Sequence, residues 1–458
     1  MPNTGFVNAF TVTSVNLLHS FAAKTVGRPE RTRTVSPWNA GKALTTTGAL
    51  TTADQASENG MTMDNRMSTR NRKSFTGAVL RILPLAAICI GMASIADAGP
   101  REQAKRIHDR IAGVPPTEAV LSQMEAEVTA NPITAAYTAM SNPNFYNVTL
   151  KNFAAPWTNR ESNVFVPLND YIATVVGMIR DDVPFNTLLS ADLLYVGAPS
   201  LGLPPYSMTN NDHYEQLERN GLDMQTGLVA TAQSAVPGGL PPEATAGIFT
   251  TRAAAEAFFV AGTNRAMFRF TMLNHMCNDM EQVHDTRLSP DRIRQDVSRS
   301  PGGDSRLFLN NCIGCHTGMD PMAQAFAYYN FNEATGSIEY TPGTVQPKYF
   351  NNEDNFPFGF RTPDDSWENY WREGQNQFLG WDNALPGSGN GAKSMGEELA
   401  NSDAFASCQV KKVFRAVCLR DPEDAADRAQ VSQMVTSFKT GYRMKQTFAE
   451  AAVYCMGQ

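Results

Sequence analysis

Beyond position 99 apolar residues recur mostly at three- and four-residue spacing, the period of amphipathic helices. Residues 101–128, REQAKRIHDRIAGVPPTEAVLSQMEAEV, predict two short helices broken at Gly113 and Pro115-Pro116. Leu168, Tyr171, Ile172, Val175 and Ile179 share one face of a helix over 168–180. Residues 176–197 read as a helix end, a break at Pro184 and a second helix. The stretch 198–245 is rich in Pro, Gly and Asn and reads as irregular. Residues 250–280 carry the longest helical pattern, with Gly262 as a joint, and 291–299 read as another helix. Between 333 and 392 the period fades into Gly, Pro, Asn and aromatics, which predicts a long loop or a small β-containing insertion. Helical period returns over 403–419, 423–440 and 443–454. Asp421-Pro422 stops the first of these helices and Gly441 the second. No internal repeat is visible, and the chain is predicted to be mainly α.

The first 98 residues follow other rules. From Met67, a basic stretch with Arg70, Arg72 and Lys73 precedes a largely apolar, uncharged run over 82–95 and then Ala96-Asp97-Ala98. That order predicts a secretory signal peptide over 67–98, cleaved after Ala98. The apolar run is too short to span a bilayer comfortably, which argues against a retained anchor and predicts no membrane span after cleavage. Residues 1–66 are rich in Thr, Asn, Ser and Ala without a steady apolar period. They lie on the wrong side of the signal. Translation is therefore expected to start at Met67, Met61 or Met63, leaving 1–66 as a start-site artefact or disordered extension. The expected location is periplasmic or otherwise exported.

Composition bounds the rest. The 458 residues are 42% hydrophobic, enough for one large domain or two to three ordinary ones. After position 98 there are 28 Lys+Arg against 40 Asp+Glu, a net of −12. Such a body repels nucleic acid and anionic lipid and steers a basic partner. No nucleic-acid partner is expected.

One motif carries chemistry. Cys312-Ile313-Gly314-Cys315-His316 is C-x-x-C-H, the attachment signature of c-type haem. Two thiols at this spacing match the two haem vinyls, and the next residue then lies under the iron. Cys312 and Cys315 are thus the expected thioether donors and His316 the proximal iron ligand. A zinc site would want a second close Cys or His pair, whereas Cys408 and Cys418 are separated by nine residues. A thioredoxin-like redox pair should sit near a βαβ pattern, whereas a helix precedes this motif. Gly302-Gly303-Asp304-Ser305-Arg306-Leu307-Phe308 leads into Asn311-Cys312. This resembles class I cytochromes c, where a short helix with an aromatic residue ends at C-x-x-C-H. Met319 and Met322 follow His316 too closely to reach the opposite face of the iron. Met395, in the Gly-rich GSGNGAKSMGEEL before a helix, is the candidate distal ligand, as the class I distal Met resembles. His275 is the alternative, with His284 farther along.

Four cysteines remain after the signal: Cys277, Cys408, Cys418 and Cys455. An even count in an exported chain predicts two disulfides. Cys408 and Cys418 lie ten positions apart on one predicted helix, roughly 15 Å along its axis. That exceeds the ~7 Å between Cα atoms that a disulfide tolerates. If the three C-terminal helices run up, down and up, Cys455 meets Cys418, leaving Cys277 for Cys408.

Several segments then add up to a resemblance. GIFTTRAAAEAFFVAGTNRAMFRFTMLNHMC at 247–277, CIGCHTGMDPMAQAFAYYNF at 312–331 and the helical stretch at 402–451 occur in this order. They resemble the large exported monohaem cytochromes c of the planctomycete type, mosaics of uncharacterised domains around one C-x-x-C-H. Asp320-Pro321 and the aromatics of 326–331 match the stretch that follows the motif in that family. His108 with GVPP resembles its N-terminal part. The Gly-rich, aromatic block at 333–392 departs from the family pattern. The resemblance implies a helical domain over 99–285. A cytochrome c-like haem domain would follow over 286–458, with an insertion at 333–392 and a C-terminal helical bundle. It implies one covalent haem c with its iron, electron transfer and a redox partner protein. Two other functions are carried forward: a haem-dependent oxidase or peroxidase, and a binding protein with structural haem that recognises a polymer through Trp367, Trp371 and Trp381. No G-x-S-x-G, H-E-x-x-H or P-loop is present.

Overall fold

The computed structural model describes residues 98–457 apart from 261, 351, 352 and 355. The expected signal peptide and the upstream extension fall outside the described residues, save Ala98. Helix α1 (Pro100–Ala112) starts with Pro at its first position and stops at Gly113, whose φ of 71° suits a residue without a side chain. Thr117 caps α2 (Glu118–Ala130). Asn131 ends α2 and caps α3 (Pro132–Met140) with its side chain. A π-turn over Phe145–Leu150 runs into the short α4 (Lys151–Ala154).

Helix α5 (Asp170–Arg180) is buried along nearly its whole length, as its run of Tyr, Ile, Ala and Val requires. Beyond it the expected second helix over 184–197 does not form. A single 3-10 turn, Phe185–Thr187, gives way to strand β1 (Leu194–Gly197). Helices α6 (Asp212–Arg219) and α7 (Met224–Gly227) follow, and β1 pairs antiparallel with β2 (Leu228–Thr231). Helices α8 (Arg252–Phe258) and α9 (Arg265–His275) are broken around Gly262. The buried Asp170 carboxylate caps α8, accepting the backbone N–H of Arg252 at 2.6 Å and of Ala253 at 3.1 Å.

The helix expected over 291–299 is also absent. Arg294 forms an isolated β-bridge with Phe360, and the backbone N–H of Gln295 donates to Phe360 O at 2.9 Å. Helices α10 (Ser305–Asn311) and α11 (Ile313–Ala323) then meet at Cys312. The insertion region contains 3-10 turns and short antiparallel strands: β4 (Ser337–Tyr340), paired with β3 (Tyr329–Asn332) just before the insertion, and β5 (Ser366–Glu368) with β6 (Ser388–Asn390). Helices α12 (Gly391–Ala400), α13 (Asp403–Cys418), α14 (Ala425–Lys439) and α15 (Met444–Tyr454) complete the chain.

The protein is mainly helical, and one hydrophobic core includes residues from Ala104 to Ala452. Helix α15 packs on α3, α13 and α14. Gln103 on α1 donates to Gly457 O at 2.8 Å, and Arg110 on α1 donates to Val417 O at 2.7 Å, so the first helix is tied to Gly457, just past α15, and to the end of α13. Disulfides join Cys277 to Cys408 and Cys418 to Cys455, the pairings that the up-down-up argument expects. Among the described residues no helix is long and apolar enough to cross a membrane.

Candidate functional site

The C-x-x-C-H segment is the start of α11. Cys312 closes α10, donating its N–H to Phe308 O at 3.0 Å, and opens α11 by accepting from His316 N at 3.1 Å. Both Cys312 and Cys315 are unbridged and partly exposed. The other four described cysteines are paired. The Cys315 thiol points to Met280 O at 3.6 Å. Burial pushes this thiol up from its ordinary range, helped by the charge of Glu281. A redox-active C-x-x-C needs the reverse, a stabilised thiolate. Among the described residues no cluster of three His, Cys, Asp or Glu gathers to hold a metal, whereas zinc wants four ligands.

His316 keeps 19% of its side chain exposed. Its Nδ1 lies 3.1 Å from Asp320 Oδ1, one helical turn on. The Phe308 ring is tilted against the imidazole with centroids 6.4 Å apart. Arg299 stacks on Phe308 and on Phe356, and Leu307 and Leu309 remain exposed beside the motif.

Asp320 is fully buried. Arg265, from the start of α9, grips it with two hydrogen bonds of 2.7 and 3.0 Å. Arg294, itself fully buried, comes within 3.6 Å. Arg265 also forks onto Asp296 at 2.7 and 2.9 Å. Burial opposes ionisation of Asp320, but the charges of Arg265 and Arg294 outweigh it and hold the carboxyl well below its usual range. Here lies the reason why 291–299 is not helical: Arg294 turns inward to this cluster.

Two helix glycines let neighbours approach the motif. A Cβ on Gly314 would sit 2.3 Å from His284 Nε2, and one on Gly318 would sit 2.0 Å from Trp371 Nε1. Asp285 N–H also donates to Gly314 O at 3.0 Å, and the Thr317 hydroxyl donates to Asp285 O at 2.9 Å. The back of α11 is thus fixed, and Trp371 belongs to the core rather than to an exposed aromatic surface.

The distal candidates are placed differently. Met395 is fully buried on α12. His275 is buried at the end of α9, with Nε2 2.7 Å from the Tyr171 hydroxyl and Trp157 and Phe405 around the ring. Burial, with the charge of Lys412, holds its imidazole well below the ordinary range. Among the described residues neither makes a hydrogen bond or ring contact with His316. The structure therefore joins Cys312, Cys315 and His316, adds Asp320, Phe308, Arg265 and Arg294, and leaves Met395 and His275 in the surrounding core.

These residues fit covalent haem by the chemistry of the donor set. Two unbridged thiols two residues apart in sequence are followed by a histidine whose Nδ1 is hydrogen-bonded to Asp320. Comparison with known proteins adds no relative: no family model, no curated protein and no solved structure matches this chain.

Proposed function

We propose that this chain is an exported c-type cytochrome that binds one covalent haem through Cys312 and Cys315, with His316 as the axial iron ligand. It would serve as an electron carrier or as the electron-transfer subunit of an oxidoreductase, working with a redox partner protein. The observation that carries the reading is the state of the six described cysteines. Four are paired, and the only unbridged two are those of C-x-x-C-H, ahead of a histidine whose Nδ1 is already committed to Asp320. Bound there, haem supplies a one-electron couple. The chain's own work is to present the two sulfurs at the head of α11, hold the imidazole by its far nitrogen, and fix the back of the helix through Asp285 and Trp371. The oxidising compartment expected from the leader agrees with the two disulfides.

The test is expression in a host that exports the chain and attaches haem c. The purified protein should gain the mass of one haem and show an alkaline pyridine spectrum of the c type. Thiol titration under denaturing, non-reducing conditions should find two free thiols in haem-free chain and none in loaded chain. Cys312→Ala with Cys315→Ala should abolish the covalent mass. Correctly exported protein that carries no haem would overturn the proposal. Carbon monoxide binding to the reduced protein separates carrier from enzyme: ready binding marks an open iron and favours the oxidase or peroxidase.

A further inference from the structure

We infer that Asp320 is a positioning residue for the axial histidine: clamped by Arg265 and Arg294, it fixes His316 as the Nδ1–H tautomer and makes Nε2 a stronger donor. The inference rests on the haem reading above and deepens it.

Three observations carry it. Asp320 and His316 are four residues apart on α11, so they share a helix face, and their polar atoms lie 3.1 Å apart. The Asp320 side chain has no exposure to water, so its charge must be met by protein groups. Arg265 meets it in a two-point fork, and Arg294 adds a third cationic contact. A carboxylate held by a fork has no freedom to rotate away from the imidazole. A carboxylate acceptor on the far nitrogen of a ligating histidine orients the ring and raises its basicity. A more basic ligand favours the oxidised iron and lowers the reduction potential. The competing role for Asp320 is to neutralise two buried arginines and nothing more. Asp296 separates the two roles. It lies off α11, faces the same Arg265 and Arg294, and accepts two hydrogen bonds from Arg265.

Two measurements test this. In the loaded protein, Asp320→Asn keeps the side chain's shape and removes its charge. We expect a ten-fold loss in the preference of the site for oxidised over reduced iron, an upward shift of about 59 mV. Asp296→Asn should shift the potential by less than half as much, and Asp320→Glu should return it towards wild type. Equal shifts in Asp320→Asn and Asp296→Asn would overturn the inference, because only the net charge of the cluster would then matter. The second measurement needs neither haem nor a substitution at Asp320. In haem-free chain carrying Cys312→Ala and Cys315→Ala, nitrogen-15 NMR should show neutral His316 as the Nδ1–H tautomer. The Nε2–H tautomer would overturn the inference whether or not wild-type protein binds haem. Haem-free wild type with the Nδ1–H tautomer would sink the haem reading while leaving the Asp320–His316 bond standing.

Discussion

At the scale of single residues, the site was half legible. C-x-x-C-H is a local pattern, and Asp320 is legible as its i+4 neighbour once the segment is known to be helical. Arg265 and Arg294 are not legible, because they reach Asp320 from 55 and 26 positions away. Lys348 is another residue that only the fold explains. Its Nζ donates to Phe259 O, Asn264 Oδ1 and Asn330 Oδ1 at 2.7 to 2.8 Å, tying the insertion to the α8–α9 joint. Burial pushes its ammonium down to about 7. The unfolded chain keeps the ordinary lysine value of about 10.4. Below pH 7 both states hold the proton; between 7 and about 10.4 the unfolded state holds more of it, so stability rises with pH across that window. Thermal melts from pH 6.5 to 9.5 should show this rise in wild type and lack its Lys348 component in Lys348→Met. A rise of the same size in both would mean that another group causes it.

At the scale of elements, helices with a sustained apolar period were readable, and short or inward-turned segments were not. The three C-terminal helices and the break between α1 and α2 fall where period, Pro and Gly place them. Strand β1 was missed because a short apolar run fits helix and strand alike, and its partner β2 is 31 or more residues on. The 291–299 segment has only Ile293 and Val297 as apolar positions and takes its hydrogen bonds from the strand-like segment at 360 instead. The disulfides show what element geometry can decide. Cys277–Cys408 ties the end of α9 to α13 across 131 positions, and Cys418–Cys455 joins α13 to the end of α15 across 37. Chain-entropy reasoning gives about 5 kcal/mol for the first loop and about 4 kcal/mol for the second. Replacing both cysteines by Ala should therefore cost more at the first bond than at the second, each by roughly 2–5 kcal/mol. Urea unfolding of the two double variants checks the order. A larger loss at Cys418–Cys455 would show that local packing, not loop closure, sets the stabilisation.

At the scale of the whole molecule, the first helix is bonded to Met456 and Gly457, so no cut separates a free-standing C-x-x-C-H segment from its support. The same scale governs how a partner approaches. The exposed arginines near the motif are already compensated: Arg287 by Asp285, Arg306 by Asp304 and Arg361 by Glu353. Local charge is thus largely cancelled, and the field felt at a distance is that of the acidic body, with its net of −12 after position 98. Screening sets the range of that field: the Debye length is about 30 Å at 0.01 M salt and about 8 Å at 0.15 M. At low salt an incoming reagent senses the whole body; at physiological salt it senses only the neutralised surroundings of the motif. For the loaded protein, oxidation by a small cationic metal complex should slow on the order of ten-fold between these two salt concentrations. Oxidation by an anionic complex should accelerate over the same interval. Stopped-flow rates with the two reagents measure both slopes. Reversed slopes, with the cationic reagent speeding up and the anionic one slowing as salt rises, would show that the local arginines, not the acidic body, steer the encounter, and would point to an acidic rather than a basic partner.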